Sequence, residues 1–140
     1  MHTFRRAVIC GLLLTASLAG CSDDDDPGAV DTLNVSGRWS GGATLPNPRS
    51  TVMTLQQSGS GVSGQMSVSG SFPQGLPVTG TIDVASRTVT WAVARDCEVW
   101  GGVLTVSGDR RQMSGPLVIN RSGCQPAQSN GSGNLTLNRE

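Results

Sequence analysis

A short pattern that contains glycine recurs along the chain and constrains its fold more than any other feature. An apolar residue, a small residue and a glycine are followed by apolar residues at alternate positions. Alternation with a period of two predicts half-buried β-strands. A glycine on the apolar face of each strand predicts a bend or a close approach of two backbones. The six copies are Val35–Trp39, Val62–Val68, Val78–Val84, Trp100–Val106, Met113–Ile119 and, more weakly, Gly131–Leu137.

Two further segments alternate without the glycine, at Thr51–Gln57 and at Arg87–Ala94. Together with the repeats they predict eight strands, with no helical period between them. An eight-stranded antiparallel meander can close into an up-and-down barrel that is just wide enough for side chains or one small ligand. A two-sheet β-sandwich is the alternative, and glycine bending in most of the strands favours the closed barrel.

The connections between these strands divide into short and long ones. Short loops follow strands two, four and six, at 58–61, 85–86 and 107–109, whereas long loops marked by proline follow strands one, three and seven, at 41–50, 69–77 and 121–130. Alternate loops of a meander lie at opposite ends. We call the end with the long loops the mouth and the other the closed end.

The N-terminus carries a different kind of signal. Two arginines and no acid in residues 1–6 precede an apolar run at 7–18, which is too short to span a bilayer of about 20 residues. The run ends in Leu18-Ala19-Gly20-Cys21, which resembles the lipobox of bacterial lipoproteins. This resemblance implies a signal peptide at 1–20 and a lipid anchor on Cys21 that makes the membrane a partner.

The segment 21–32 is expected to be a disordered tether before a barrel domain at 33–140, because Asp23–Asp26 are four repelling acids. Ser22 after the lipidated cysteine resembles the sorting signal of outer-membrane lipoproteins. We therefore expect a cell-envelope protein in the outer membrane that faces the periplasm. A serine and an acidic run also resemble the surface-export signal of Bacteroidota lipoproteins, so exposure on the cell surface is the alternative.

Once Cys10 is removed with the signal peptide and Cys21 is acylated, two cysteines remain for the barrel. Cys97 and Cys124 lie in connections at the same end of the predicted meander, and an oxidising compartment favours a disulfide between them. The disulfide would close a loop of about 28 residues, which would stabilise the fold by about 3–4 kcal/mol.

Several function classes are excluded by what the chain lacks. The only histidine is His2, within the predicted signal peptide, and there is no lysine or tyrosine. The mature protein would lack the commonest general base and metal ligand and the usual Schiff-base nucleophile. Within the predicted barrel, Asp96 and Glu98 form the only close carboxylate pair, and beside a turn we interpret them as solvated. We therefore expect no enzyme activity, no cofactor and no metal site. The mild positive charge of the barrel argues neither for nor against nucleic acid, but nothing resembles a basic stripe with interleaved aromatics, so we expect no nucleic-acid partner.

The predicted barrel resembles the calycins, the superfamily of lipocalins and avidins. Gly37-Arg38-Trp39 matches the Gly-x-Trp of the first strand, and Arg139 matches the late arginine that packs on this tryptophan in lipocalins. The resemblance implies a structural cap of Trp39 and Arg139 over the closed end.

Two functional hypotheses remain for the barrel. The first is binding of a small apolar or amphipathic ligand inside the barrel or at its mouth. The second is a protein-interaction module, such as an envelope inhibitor resembling the small disulfide-bearing barrels that block secreted proteases. A filled interior would favour the second, and an open apolar lumen the first. The candidate ligand-binding residues are Trp91, Trp100 and Leu104 in the interior and Arg49, Arg95 and Arg121 at the mouth.

Overall fold

A computed structural model of the chain describes residues 32–140. The predicted signal peptide, Cys21 and all but the last residue of the predicted tether lie outside the described residues. The expectations about them stay predictions.

Eight antiparallel strands form one closed barrel in which each strand pairs with the next and the last pairs with the first. This confirms the all-β meander barrel, and the closed sheet rules out the β-sandwich. The strands are β1 (Gly37–Thr44), β2 (Pro48–Ser58), β3 (Gly61–Val68), β4 (Phe72–Asp83), β5 (Thr88–Arg95), β6 (Glu98–Val106), β7 (Gln112–Asn120) and β8 (Gly131–Arg139).

Inward-facing glycines allow the strands to curl this tightly. At each of six inward-facing positions a Cβ atom would lie less than 2.5 Å from a carbonyl oxygen of a neighbouring strand, so no other residue fits without moving the backbone. These glycines therefore mark close backbone approaches, as the repeat predicts. In β1 the glycine at the close approach is Gly41, not the Gly37 of the repeat. The six are Gly41, Gly64, Gly80, Gly102, Gly115 and Gly133.

Two of the three predicted long loops are wrong. The connections after β1 and β3 span only 45–47 and 69–71, because the strands extend into the proline-containing segments. Pro48 is the first residue of β2, and Pro73 lies beside a register shift between β3 and β4, two places where a strand tolerates proline. The loop after β7 is long, at 121–130.

Large apolar side chains fill the interior of the barrel. The side chains of one tryptophan, three methionines and several leucines are at most 1% exposed. Close packing of this kind leaves little space for a ligand at mid-barrel. The largest members are Trp39, Met53, Met66, Met113, Leu104, Leu117, Leu135 and Leu137.

The closed end is sealed by the segment that precedes β1. Leu33 and Val35 are buried, and Trp39 Nε1 donates a hydrogen bond of 2.9 Å to the carbonyl oxygen of Val35. The side chain of Gln57 binds this segment through Val35 N and Leu33 O. The Arg139 guanidinium carbon lies 5.4 Å from the centre of the Trp39 ring, and its nitrogens donate to two carbonyl oxygens of the same segment.

Candidate functional site

The loop after β7 is attached to the β5–β6 turn at the mouth by the predicted disulfide. Cys97 and Cys124 lie at disulfide distance, with their Cα atoms 4.9 Å apart. Cys124 is 1% exposed, although its neighbours in the loop are open to solvent. The disulfide thus holds the longest loop of the described chain against the barrel rim.

A half-open cavity of about 310 Å³ lies at the mouth; we call it the mouth cavity. Its apolar lining comes from Leu45, Trp100 and Ile119, of which the last two are almost fully buried. Ser129 and Asn130 of the long loop, with Gly131 at the start of β8, form another part of the wall. The volume falls at the lower end of the range for small-molecule sites.

Two arginines also line the mouth cavity, Arg49 from β2 and Arg121 from the long loop. The other polar lining residues are asparagines and serines, and no acidic residue contributes to the lining. The mouth cavity therefore combines an apolar part with a positively charged part.

A hydrogen-bonded network below the long loop fixes Arg121. Its Nε donates to Glu98 Oε1 at 2.6 Å, and its Nη1 donates to the carbonyl oxygen of Ser129 at 2.9 Å. The indole Nε1 of Trp100 donates to the other carboxylate oxygen of Glu98 at 3.0 Å. One carboxylate thus orients both the arginine and the tryptophan of the cavity. Phe72 packs edge-on against Trp100, with ring centres 5.1 Å apart.

The pKa of Glu98 reflects two opposing influences. Partial burial by itself raises the pKa, but hydrogen bonds from Trp100 and Arg121 and the positive charges of Arg121 and Arg95 outweigh it. The pKa therefore lies below the ordinary value, so Glu98 is ionised at neutral pH and neutralises Arg121.

Arg49 has a different electrostatic environment. Its Nη1 donates to the carbonyl oxygen of Ser69 at 3.0 Å, which lays the guanidinium over the β3–β4 turn. Within residues 32–140 no carboxylate lies within ion-pair distance of Arg49. Its charge is therefore not compensated by a direct partner, unlike that of Arg121.

Three of the six predicted ligand-binding residues meet at the mouth cavity, namely Trp100, Arg49 and Arg121. The other three do not line it. Trp91 and Leu104 are packed in the barrel core, where the indole nitrogen of Trp91 has no hydrogen-bond partner among the residues that the structure describes. Arg95 lies near its neighbour Asp96 at the β5–β6 turn, with 3.8 Å between nitrogen and oxygen.

Sequence reasoning missed Leu45, Ile119 and Glu98. The sequence places Leu45 in a long loop and shows Ile119 only as part of a strand. Its position beside a turn predicts that Glu98 is solvated, whereas the Glu98 side chain is only 16% exposed. Glu98 and Trp100 alternate on β6, so the period of the strand places them on the same face and could have revealed the carboxylate.

An apolar surface covers part of the outside of the barrel, on β6 and β7. Val99, Val103 and Val118 are each more than 40% exposed, and Gly101 pairs with Val118 between them. Exposed Pro116 extends this surface along β7. We call these five residues the outer apolar face.

The fold and the cavity define a class: a small eight-stranded antiparallel barrel with a half-open, positively charged cavity at its mouth. No protein-family model, no curated protein and no solved structure matches the chain. Residues 32–140 contain no helix that is long and apolar enough to cross a membrane.

Proposed function

We propose that this protein is a lipid-anchored cell-envelope protein whose barrel binds a small amphipathic molecule in the mouth cavity. The observation that carries the binding proposal is the composition of this cavity. Its apolar lining would take the hydrophobic part of a ligand, and its polar rim would fix the orientation, as in most small-molecule sites.

The filled interior counts against binding in the lumen and by itself favours the protein-interaction hypothesis, so the proposal of a small ligand rests on the mouth cavity alone. Tryptophan, methionine and leucine side chains fill the interior, so a ligand at mid-barrel would have to displace them. At the mouth a ligand would contact Trp100 and Ile119 without disturbing the core.

The anchor on Cys21 is proposed from the sequence signature of residues 1–21 and lies outside the described residues. The start of the barrel is compatible with it, because Leu33 O is bound by Gln57 beside the β2–β3 turn, at the end opposite the mouth. A membrane anchor on this side would leave the mouth cavity facing away from the membrane. We propose the outer membrane as its location, from Ser22 after the cysteine.

The Cys21→Ser variant tests the anchor. This variant should appear in the soluble fraction of the envelope and should no longer incorporate radiolabelled palmitate. The protein with the natural sequence should carry the lipid and stay with the membranes. Continued membrane retention of a protein without acyl chains would contradict the proposal.

A relationship to the calycins is proposed on two features, the eight-stranded meander and the contact between Trp39 and Arg139. Both match what the resemblance of the sequence implies. The relationship supports ligand binding by analogy of fold alone.

A cavity-filling substitution tests binding at the mouth. Ser129 lies in the cavity wall on the exposed loop, and only its backbone oxygen contacts Arg121. Ser129→Trp should fill the cavity without altering the core. Native mass spectrometry should show a co-purified or added amphiphile on the unmodified protein and at least a tenfold lower occupancy on this variant. Ser122→Trp, on the same loop but outside the cavity, is the matched control, and equal losses in the two variants would contradict binding there.

The outer apolar face favours a second candidate function, a protein-interaction module. Three exposed valines on neighbouring strands form a patch of the kind that protein interfaces cover. If the barrel inhibits a secreted protease through this face, Val103→Thr together with Val118→Thr should abolish inhibition without lowering thermal stability. Inhibition assays against serine and metalloproteases of the envelope would measure this, and undiminished inhibition would contradict a role for the face.

A further inference from the structure

We infer that the mouth cavity selects a singly charged anionic amphiphile of medium chain length, such as a carboxylate with about eight carbons, and that Arg49 recognises its head group. This inference rests on the proposed function, because it assigns a ligand class to the same cavity. It goes beyond that function because it specifies the charge and the size of the ligand and the residue that recognises its head group.

The charge follows from the difference between the two cavity arginines. Glu98 forms an ion pair with Arg121 at 2.6 Å and cancels its charge locally. Arg49 lines the same cavity, and its one hydrogen bond goes to a neutral carbonyl oxygen, that of Ser69. Among residues 32–140 the lining contains no acidic residue, so this part of the chain gives the cavity an excess of about one positive charge. A single anion would balance it, whereas a cation or a dianion would not.

The geometry of arginine supports a carboxylate or a similar planar anion. A guanidinium offers five N–H donors in a fixed fork, of which Ser69 O takes one at Arg49. The remaining donors can form charge-assisted hydrogen bonds, which are about twice as strong as neutral ones. A neutral head group of the same length would leave this charge unpaired.

The size follows from the volume of the cavity, about 310 Å³. This volume lies at the lower end of the range for small-molecule sites, so it suits one short chain with one head group. The chain of octanoate would lie against Leu45, Trp100 and Ile119. A diacyl lipid is several times larger, and most of it would lie outside the cavity.

Calorimetric titration of the purified full chain with octanoate and with octan-1-ol tests this inference. Both have the same chain, and only the acid is charged. Octanoate should bind at least about tenfold more tightly, which corresponds to about 1.4 kcal/mol. The preference should shrink as salt is raised, because the head group interacts at an exposed rim.

Two variants identify the recognising residue. Arg49→Gln should weaken octanoate binding about tenfold, to the level of octan-1-ol, and should leave octan-1-ol binding unchanged, which also shows that the variant is folded. Arg95→Gln is the matched control, because Arg95 carries the same charge at the same end of the barrel but does not line the cavity. It should retain the preference.

The outcomes separate the inference from the proposed function. If both compounds bind with equal affinity, or if Arg49→Gln keeps the preference, the anionic ligand class is wrong while binding at the mouth stands. If Arg95→Gln loses the preference for octanoate as fully as Arg49→Gln does, the overall positive charge at the mouth causes the preference. The assignment of Arg49 as the recognising residue is then overturned. If neither compound binds to the unmodified protein, the inference and the proposed function both fail.

Discussion

The two ends of the barrel are closed by different means. At the closed end the chain itself forms the seal, since Leu33 and Val35 fold under Trp39 and are held by hydrogen bonds from Gln57 and Arg139. At the mouth a long loop crosses the rim, held by a disulfide and by one ion pair. The seal at the closed end is continuous with the packed core, whereas the loop at the mouth encloses a cavity.

If the mouth cavity binds a ligand, as we propose, the closed end contributes mainly stability and the mouth contributes the binding site. Apolar burial at the closed end contributes to the free energy of unfolding of the whole barrel. The disulfide at the mouth holds a loop with little apolar contact, so that the cavity beneath it stays open. A protein that must keep an unfilled cavity at its surface needs such a brace, because an empty site contributes no packing of its own.

Trp39→Ala should have the largest effect, a loss of about 3–5 kcal/mol in the free energy of unfolding. Trp39 is fully buried and joins the core to the seal of the closed end. Leu45→Ala is the matched change at the mouth, where the side chain is only partly buried, and it should lose less than half as much. Urea denaturation measures both values. Equal losses would mean that the two ends contribute alike.

Replacing both Cys97 and Cys124 by serine should lower the free energy of unfolding by about 3–4 kcal/mol, given a separation of 27 residues. The loss should be uneven along the chain. Hydrogen exchange should speed up most at 121–130, while the amides around Trp39 keep their relative protection until global unfolding. An equal increase at the two ends would contradict the idea that the disulfide braces the mouth alone.

Glu98→Gln should cost about 1–3 kcal/mol at neutral pH, because it removes charge from a partly buried carboxylate that accepts hydrogen bonds from Arg121 and Trp100. The folded protein lowers the pKa of Glu98, so its contribution is complete above the ordinary value of 4.5 and is lost as the pH falls through the lowered pKa. The difference in thermal stability between Glu98→Gln and the unmodified protein should therefore shrink in acid.

Asp96→Asn is the control for the effect of Glu98, since its side chain is 87% exposed. This variant should stay within about 0.5 kcal/mol of the unmodified protein at neutral pH. If the stability lost in Glu98→Gln is the same at neutral and at acidic pH, the charge of Glu98 does not stabilise the fold.

The barrel itself could be predicted from the sequence because its signals are local. Alternation sets which side chains face inward, and a glycine on the inward face marks where two strands approach. These signals located eight strands and the shared end of the two cysteines. They failed at Pro48 and Pro73, because the sequence does not show whether a proline ends a strand or sits at its first residue or beside a bulge.

The mouth cavity was harder to predict, because it depends on distances between segments that are far apart in sequence. Trp100, Arg49 and Arg121 could be proposed from their positions near the strand ends. Leu45 and Ile119 could not, since their contribution depends on how far the long loop stands from the rim. The closed end was easier to predict, because its two main residues, Trp39 in the Gly-x-Trp pattern and the late Arg139, can be recognised in the sequence by their resemblance to lipocalins.

Arg139→Gln should have the smallest effect, a loss of about 1 kcal/mol. The guanidinium lies over the ring of Trp39, and a cation–π contact at an exposed position contributes about 0.5–1 kcal/mol. Its hydrogen bonds to the carbonyl oxygens of Asn34 and Ser36 add to this. Arg38→Gln, which breaks an exposed ion pair with Glu140 at the same end, is the control and should change stability less. Thermal melts compare the two, and a larger loss for Arg38→Gln would show that surface charge, and not the contact with Trp39, secures the closed end.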